Sequence, residues 1–178
     1  MAMHVAFLRG INVGGHGASK EQLIAAFERL GFERVSTFRA SGNVIFDAAA
    51  EVTPTAEPIE HELERELGFE APVFLRSGKQ VAAAAAFAPF TSEQLSASAG
   101  KLQVSFLGKR PSRAAAESAL ALATKHDPLA LRGSELYWLP KGSMMDSDLD
   151  LKALERLLGA STMRTKGTVE LLAAKLSP

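Results

Sequence analysis

The 178-residue chain contains no cysteine. Disulfides, thiolate nucleophiles and zinc-thiolate sites are thereby excluded together. Charge of one sign is not in excess either: 20 basic residues balance 20 acidic ones, for a formal net charge of zero. No global field draws the molecule onto nucleic acid or an anionic membrane, so any such binding has to be local. Long hydrophobic runs are missing as well. The longest, Val81 to Phe90, is mostly alanine and falls well short of the roughly 20 residues that cross a bilayer. Met1-Ala2-Met3-His4 lacks the basic region of a signal peptide, and Val5 to Leu8 is too short for its apolar core. A cytoplasmic protein with no membrane partner is expected.

The familiar catalytic patterns are also absent. His4, His16, His61 and His126 show no ligand spacing for zinc. Asp146, Asp148 and Asp150 alternate like the start of a calcium loop, but Leu151 stands where that loop needs glycine and no glutamate closes it. They read as cap and first-turn residues of a helix. No GxSxG elbow marks a serine hydrolase. No metal and no cofactor is expected, and without an evident general base the sequence assigns no reaction and leaves open whether the chain is an enzyme.

What is present is an ordinary globular composition, 47% hydrophobic and 22% charged. A chain of this size buries roughly 70% of its unfolded surface and folds without staples. Met3 to Arg9 reads as a strand. Ser19-Lys20-Glu21-Gln22 has the spacing of a capping box, opening a helix that carries Leu23, Ile24, Phe27 and Leu30 on one face and stops at Gly31. Glu33 to Ala40 and Asn43 to Phe46 are β-prone runs around Ser41-Gly42, a tight-hairpin signature. A helix over Pro58 to Leu67 and a strand over Ala71 to Leu75 complete the order βαββαβ. That order is the ferredoxin-like one, a four-stranded antiparallel sheet with two helices on one face.

The pattern then begins again. Leu102 to Leu107 is a strand, Pro111 opens a helix to about Lys125, and Leu129 to Leu131 and Glu135 to Leu139 flank Arg132-Gly133-Ser134 as a hairpin. Helices are expected over Asp148 to Leu158 and Val169 to Leu176, with Thr168 as N-cap. The fold class is therefore α+β, with two ferredoxin-like subdomains, the second incomplete for want of a closing strand and followed by extra C-terminal helices. Residues 1–76 form the first subdomain, 77–100 a helical connector, and 101–178 the second. The likeness of the halves lies in element order, with no repeat of residues evident.

One candidate site emerges. Gly10-Ile11-Asn12-Val13-Gly14-Gly15-His16-Gly17 joins a strand to a helix N-terminus, where glycines let backbone N–H groups converge on an anion. It is neither a Walker loop, since His16 and Gly17 follow Gly15, nor a GxGxxG fingerprint. A plain strand-to-helix connection is the competing reading. Arg9 at the strand end supplies a planar, bidentate donor. Strands one and three of a βαββαβ sheet are antiparallel neighbours, so Arg9 and Ser41-Gly42-Asn43 share one sheet edge, although a simple turn also explains the latter. Arg164, in the polar stretch Ser161 to Thr168, is a second arginine at a helix entrance.

RNA-recognition domains share this element order and carry two exposed aromatics on the third strand. Asn43-Val44-Ile45-Phe46 offers one, and the first strand only Phe7. Lys109-Arg110 with Arg113, and Arg164 with Lys166, read as solvated faces.

Three spaced motifs, Phe7-Leu8-Arg9-Gly10-Ile11-Asn12-Val13-Gly14-Gly15, Leu30-Gly31-Phe32 and Ser41-Gly42-Asn43-Val44-Ile45-Phe46, resemble the bacterial family known as domain of unknown function 1697. In the terminal motif Thr162, Arg164, Thr168 and Val169 match that family, while Thr165, Lys166 and Gly167 depart from it. The resemblance implies an α+β protein with ferredoxin-like parts and no assigned activity.

The residues together point to a small anionic ligand, phosphate or carboxylate, in a cleft of Arg9, Gly10, Asn12, Gly14, Gly15, Ser41, Gly42, Asn43 and Arg164. The alternative is an interaction module that binds protein or nucleic acid through its sheet face or an edge strand. Nucleic acid is the less favoured partner for a neutral chain, and edge-strand pairing leaves a homo-oligomer open.

Overall fold

The structure, a computed structural model, describes residues 1–39 and 42–176. The chain divides into two compact units, one of Met1–Ala82 with the C-terminal segment from Leu172, the other of Ala83–Leu171.

The first unit runs β1 (Ala2–Leu8), α1 (Lys20–Arg29), β2 (Glu33–Thr37), β3 (Asn43–Ala48), α2 (Ala56–Leu67) and β4 (Val73–Ser77). Its sheet has the order β2-β3-β1-β4 and is antiparallel throughout, the ferredoxin-like arrangement that the element order implies. The capping box opens α1 as expected: Gln22 N donates to Ser19 Oγ at 3.1 Å and Ser19 N to Gln22 Oε1 at 3.0 Å. Gly68, at φ 78°, ends α2. Ala6, Leu8, Val44, Phe46 and Val73 project from the sheet against Leu23 and Phe27 of α1 and Ile59 and Leu63 of α2. Each large side chain buried this way contributes about 1.5 to 3 kcal/mol. Arg29 of α1 bridges Glu62 and Glu66 of α2, and its guanidinium holds the Glu62 carboxyl below the ordinary carboxylate range.

Alternation along β1 puts Val5 and Phe7 on the face opposite the helices, yet both are fully buried, and Ile45 and Phe74 are buried as well. The central strands β1 and β3 are thus covered on both faces. Phe46 lies in the core under the helices, and Phe7 is buried on the other face. The expected end of the second strand at Ala40 and the Ser41 half of the hairpin turn lie outside the described residues.

After β4 come α3 (Gly78–Ala86), α4 (Ser92–Ala97), β5 (Gln103–Leu107), α5 (Arg113–Leu120), β6 (Leu129–Arg132), β7 (Glu135–Trp138), a 3-10 turn (Met144–Asp146), α6 (Leu151–Leu158), β8 (Ser161–Thr165) and α7 (Lys166–Leu176). The second sheet has the order β6-β7-β5-β8. The second unit is therefore a full βαββαβ, and the expectation of an incomplete one is corrected by β8. That strand escapes a hydropathy reading because its two buried positions are Thr162 and Arg164. With β8 in place, Thr165 caps α7: its Oγ1 accepts from Thr168 N at 3.3 Å, and Thr168 lies inside the helix instead of capping it. Asp150 caps α6, accepting from Ala153 N at 2.8 Å, in line with its reading as a cap. Leu107, Leu136, Trp138, Leu154 and Leu158 form the core of this unit. On the other sheet face Phe87 packs edge-on against Tyr137 at 4.9 Å, and Tyr137 donates to Ala84 O at 3.3 Å.

Candidate functional site

The loop after β1 folds on itself. Gly14 and Gly15 have φ of 58° and 86°, and His16 N donates to Val13 O at 3.0 Å. Two successive positive φ angles are what a primed hairpin turn demands and what glycine supplies without strain. The pair forms an exposed tip. Asn12 N closes the base of this small hairpin on His16 O at 2.8 Å, and the His16 ring stacks on Phe69 at 4.6 Å. Asn12 Oδ1 accepts from Ala18 N at 3.1 Å, which returns the chain to the start of α1.

The loop and the turn before β3 meet. Leu8 N donates to Gly42 O at 2.7 Å. Gly42 is buried at φ 71°, and a Cβ there would lie 3.1 Å from Cβ atoms of both Leu8 and Ile11. Asn43 next to it is fully buried and donates from Nδ2 to Phe38 O at 2.9 Å. It therefore holds the end of β2 in place.

Between loop and turn lies an open pocket of about 270 Å³, lined by Asn12, Ala18, Lys20, Leu23, Thr37, Arg39 and Gly42. Lys20 is the first residue of α1, and the Arg39 guanidinium lies 5.7 Å from the centre of the Phe38 ring. Among the described residues, the lining has two cations and no carboxylate. Asn12, Arg34 and Arg39 are the non-glycine residues with positive φ among those described, and two of the three line this pocket. Sparsely populated backbone conformations tend to cluster where a structure holds groups for a purpose.

Of the residues singled out in the sequence, Asn12 and Gly42 line the pocket. Arg9 is half-buried at the end of β1, where its N–H donates to Pro72 O at 2.9 Å. Gly10 turns the chain at φ 76°, and Ser41 lies outside the described residues. Lys20, Thr37 and Arg39 were not anticipated. The available signals were modest: Lys20 directly follows a cap serine, and Arg39 is the basic residue nearest the Ser41-Gly42 turn.

Arg164 belongs to the second unit. It sits on β8 opposite Val104, is 8% exposed, and donates from Nη1 to Thr162 Oγ1 and to Met163 O, each at 2.8 Å. Burial pushes its pKa down to about 10. The first unit has a counterpart. Arg76 on β4 lies opposite Val5, is 6% exposed, and donates from Nη1 to Leu75 O at 2.7 Å. Each arginine precedes a hydroxyl residue that accepts a helix N–H at 3.3 Å, Ser77 from Gln80 and Thr165 from Thr168.

Among the described residues no group of three or more acidic, histidine or cysteine side chains is placed to hold a metal ion, and no helix is long and apolar enough to cross a membrane.

The model of a family described as protein of unknown function (DUF1697) matches residues 1–137. No curated protein matches the chain. Among solved structures, the conserved bacterial protein SP0830 from Streptococcus pneumoniae is similar in fold, with a TM-score of 0.73 and 19% identity over 99% of each chain.

Proposed function

The chain belongs to the DUF1697 family, whose description assigns no activity, and we propose that its first unit binds a small anionic group, a phosphate or a carboxylate, in the pocket at the start of α1. One observation carries this reading: Lys20 and Arg39 line a 270 Å³ space whose lining, among the described residues, includes no carboxylate. Arginine offers a planar fork that matches two oxygens of either group, and lysine adds a compact charge. The N-terminal end of α1 adds the positive end of a helix dipole. Gly42 lines the same space. Among the described residues no general base lines the pocket, so the reading is one of binding. A cytoplasmic location is part of the same proposal.

Calorimetric titration with inorganic phosphate, acetate and a panel of phosphorylated metabolites tests it. Wild-type protein is expected to take up at least one of these with one-to-one stoichiometry, and Lys20→Ala and Arg39→Ala each to weaken binding about tenfold, the size of one charge-assisted hydrogen bond. Arg9→Ala serves as the control outside the pocket and is expected to bind as wild type does. Uptake that survives both pocket variants would overturn the assignment.

A further inference from the structure

A larger concavity of about 440 Å³ lies within the second unit, between α4, the turn after α5 and the end of β7. Its volume falls in the range of small-molecule sites. Leu139, Pro128 and Ala97 supply apolar wall, and the charged residues on it are Lys125, Lys141 and Glu93.

The walls are fixed to one another. Ser98 Oγ donates to Pro140 O at 2.6 Å and accepts from Gly100 N at 3.0 Å, while Ala99 N donates to Lys141 O at 2.8 Å. Gly100 packs so closely that a Cβ there would collide with the carbonyl oxygens of Pro140 and Gly142. On the far side Thr124 Oγ1 accepts from His126 N and Asp127 N. The buried Asp127 carboxylate in turn accepts from Trp138 Nε1 at 2.9 Å and Ser147 Oγ at 2.6 Å. The turn that carries Lys125 is thus clamped to the core, and a ligand would find the space already formed, with little ordering left to do.

We propose that this concavity is a second binding site, and that it takes a small anion with an apolar body, an aromatic or branched-chain carboxylate. The apolar wall and the aliphatic stems of the two lysines accept the body. Lys125 and Lys141, outweighing Glu93, accept the charged head. The site shares no residue with the pocket at α1, so the two assignments stand or fall separately.

The probe is 8-anilinonaphthalene-1-sulfonate, which joins an aromatic body to one negative charge, followed by competition with benzoate and with uncharged benzamide. The full chain is expected to bind one equivalent with enhanced fluorescence, benzoate to displace it, and benzamide to compete at least tenfold less well. Ala97→Trp, at an exposed helix position, fills the space and is expected to abolish the signal. The Lys125→Ala/Lys141→Ala pair should weaken binding about tenfold while the fluorescence of Trp138 stays native. Lys20→Ala should leave the signal unchanged. A signal that persists in Ala97→Trp, equal competition by benzamide, or no saturable binding in wild type would each overturn the proposal.

Discussion

Gly42 and Gly14 are both glycines at positive φ, and they separate two reasons for glycine at a single residue. At Gly14 a Cβ meets nothing within 4 Å, so only the φ of 58° opposes a side chain. At Gly42 the φ of 71° is joined by Leu8 and Ile11 at 3.1 Å. Gly14→Ala is expected to destabilise by about 1 to 2 kcal/mol, the cost of the left-handed region. Gly42→Ala adds overpacking and is expected to cost about 2 to 4 kcal/mol. Urea denaturation of both variants checks the order, and equal losses would mean that Ile11 yields freely. These glycines were legible in the sequence because turn chemistry is local. Lys20 and Arg39 were not, because a lysine after a cap and an arginine at a strand end are ordinary solvated residues until a fold brings them to one pocket. Asn43 was legible as a special position, although its buried amide braces Phe38.

At the scale of elements, α1 and α2 were readable from the periodicity of Leu23 and Phe27 and of Ile59 and Leu63, residues that do form the core. β8 was not, because Thr162 and Arg164 occupy its buried positions and no apolar alternation survives. α4 carries a readable capping box, Thr91 with Gln94, but its six residues make no buried face and read as connector. The ion pairs between α1 and α2 yield a prediction about pH. Arg29 lowers the Glu62 pKa in the folded protein, whereas the unfolded chain titrates near the ordinary value of about 4.3. The unfolded state then binds more protons in the window between the two values. The stability this carboxylate adds is complete above about pH 4.3 and disappears as pH falls through its folded pKa. Denaturation curves from pH 7 to pH 2 should show a shallower acid decline for Glu62→Gln than for wild type, from a lower starting stability. Parallel curves would place the acid sensitivity elsewhere.

Over the whole chain, two units with the same strand order share few residues: Val5, Phe7 and Leu8 of β1 match Val104, Phe106 and Leu107 of β5 in the same register, and each unit carries one buried arginine on its fourth strand. The Val5–Arg76 and Val104–Arg164 pairs occupy the same register, a first strand against a fourth, and each guanidinium donates to the carbonyl of the residue before it. Reading the halves side by side does not reveal this, because Arg76-Ser77-Gly78-Lys79 and Arg164-Thr165-Lys166-Gly167 align only once β8 is known to be a strand. The correspondence makes Arg164 an interior residue of its own sheet, whose hydrogen bonds to Thr162 and Met163 hold the end of β8 where Thr165 must cap α7. Removing a buried donor leaves its acceptors unsatisfied, a loss of about 1 to 3 kcal/mol. Arg164→Ala is therefore expected to lower stability by about that amount, and Arg76→Ala to do so with the same sign and a similar size. Lysine carries the charge without the planar fork, so Arg164→Lys is expected to recover only part of the loss. If the arginine instead serves a ligand and not the sheet, Arg164→Ala will melt where wild type does in the absence of any added compound, and thermal denaturation of the unliganded protein separates the two roles.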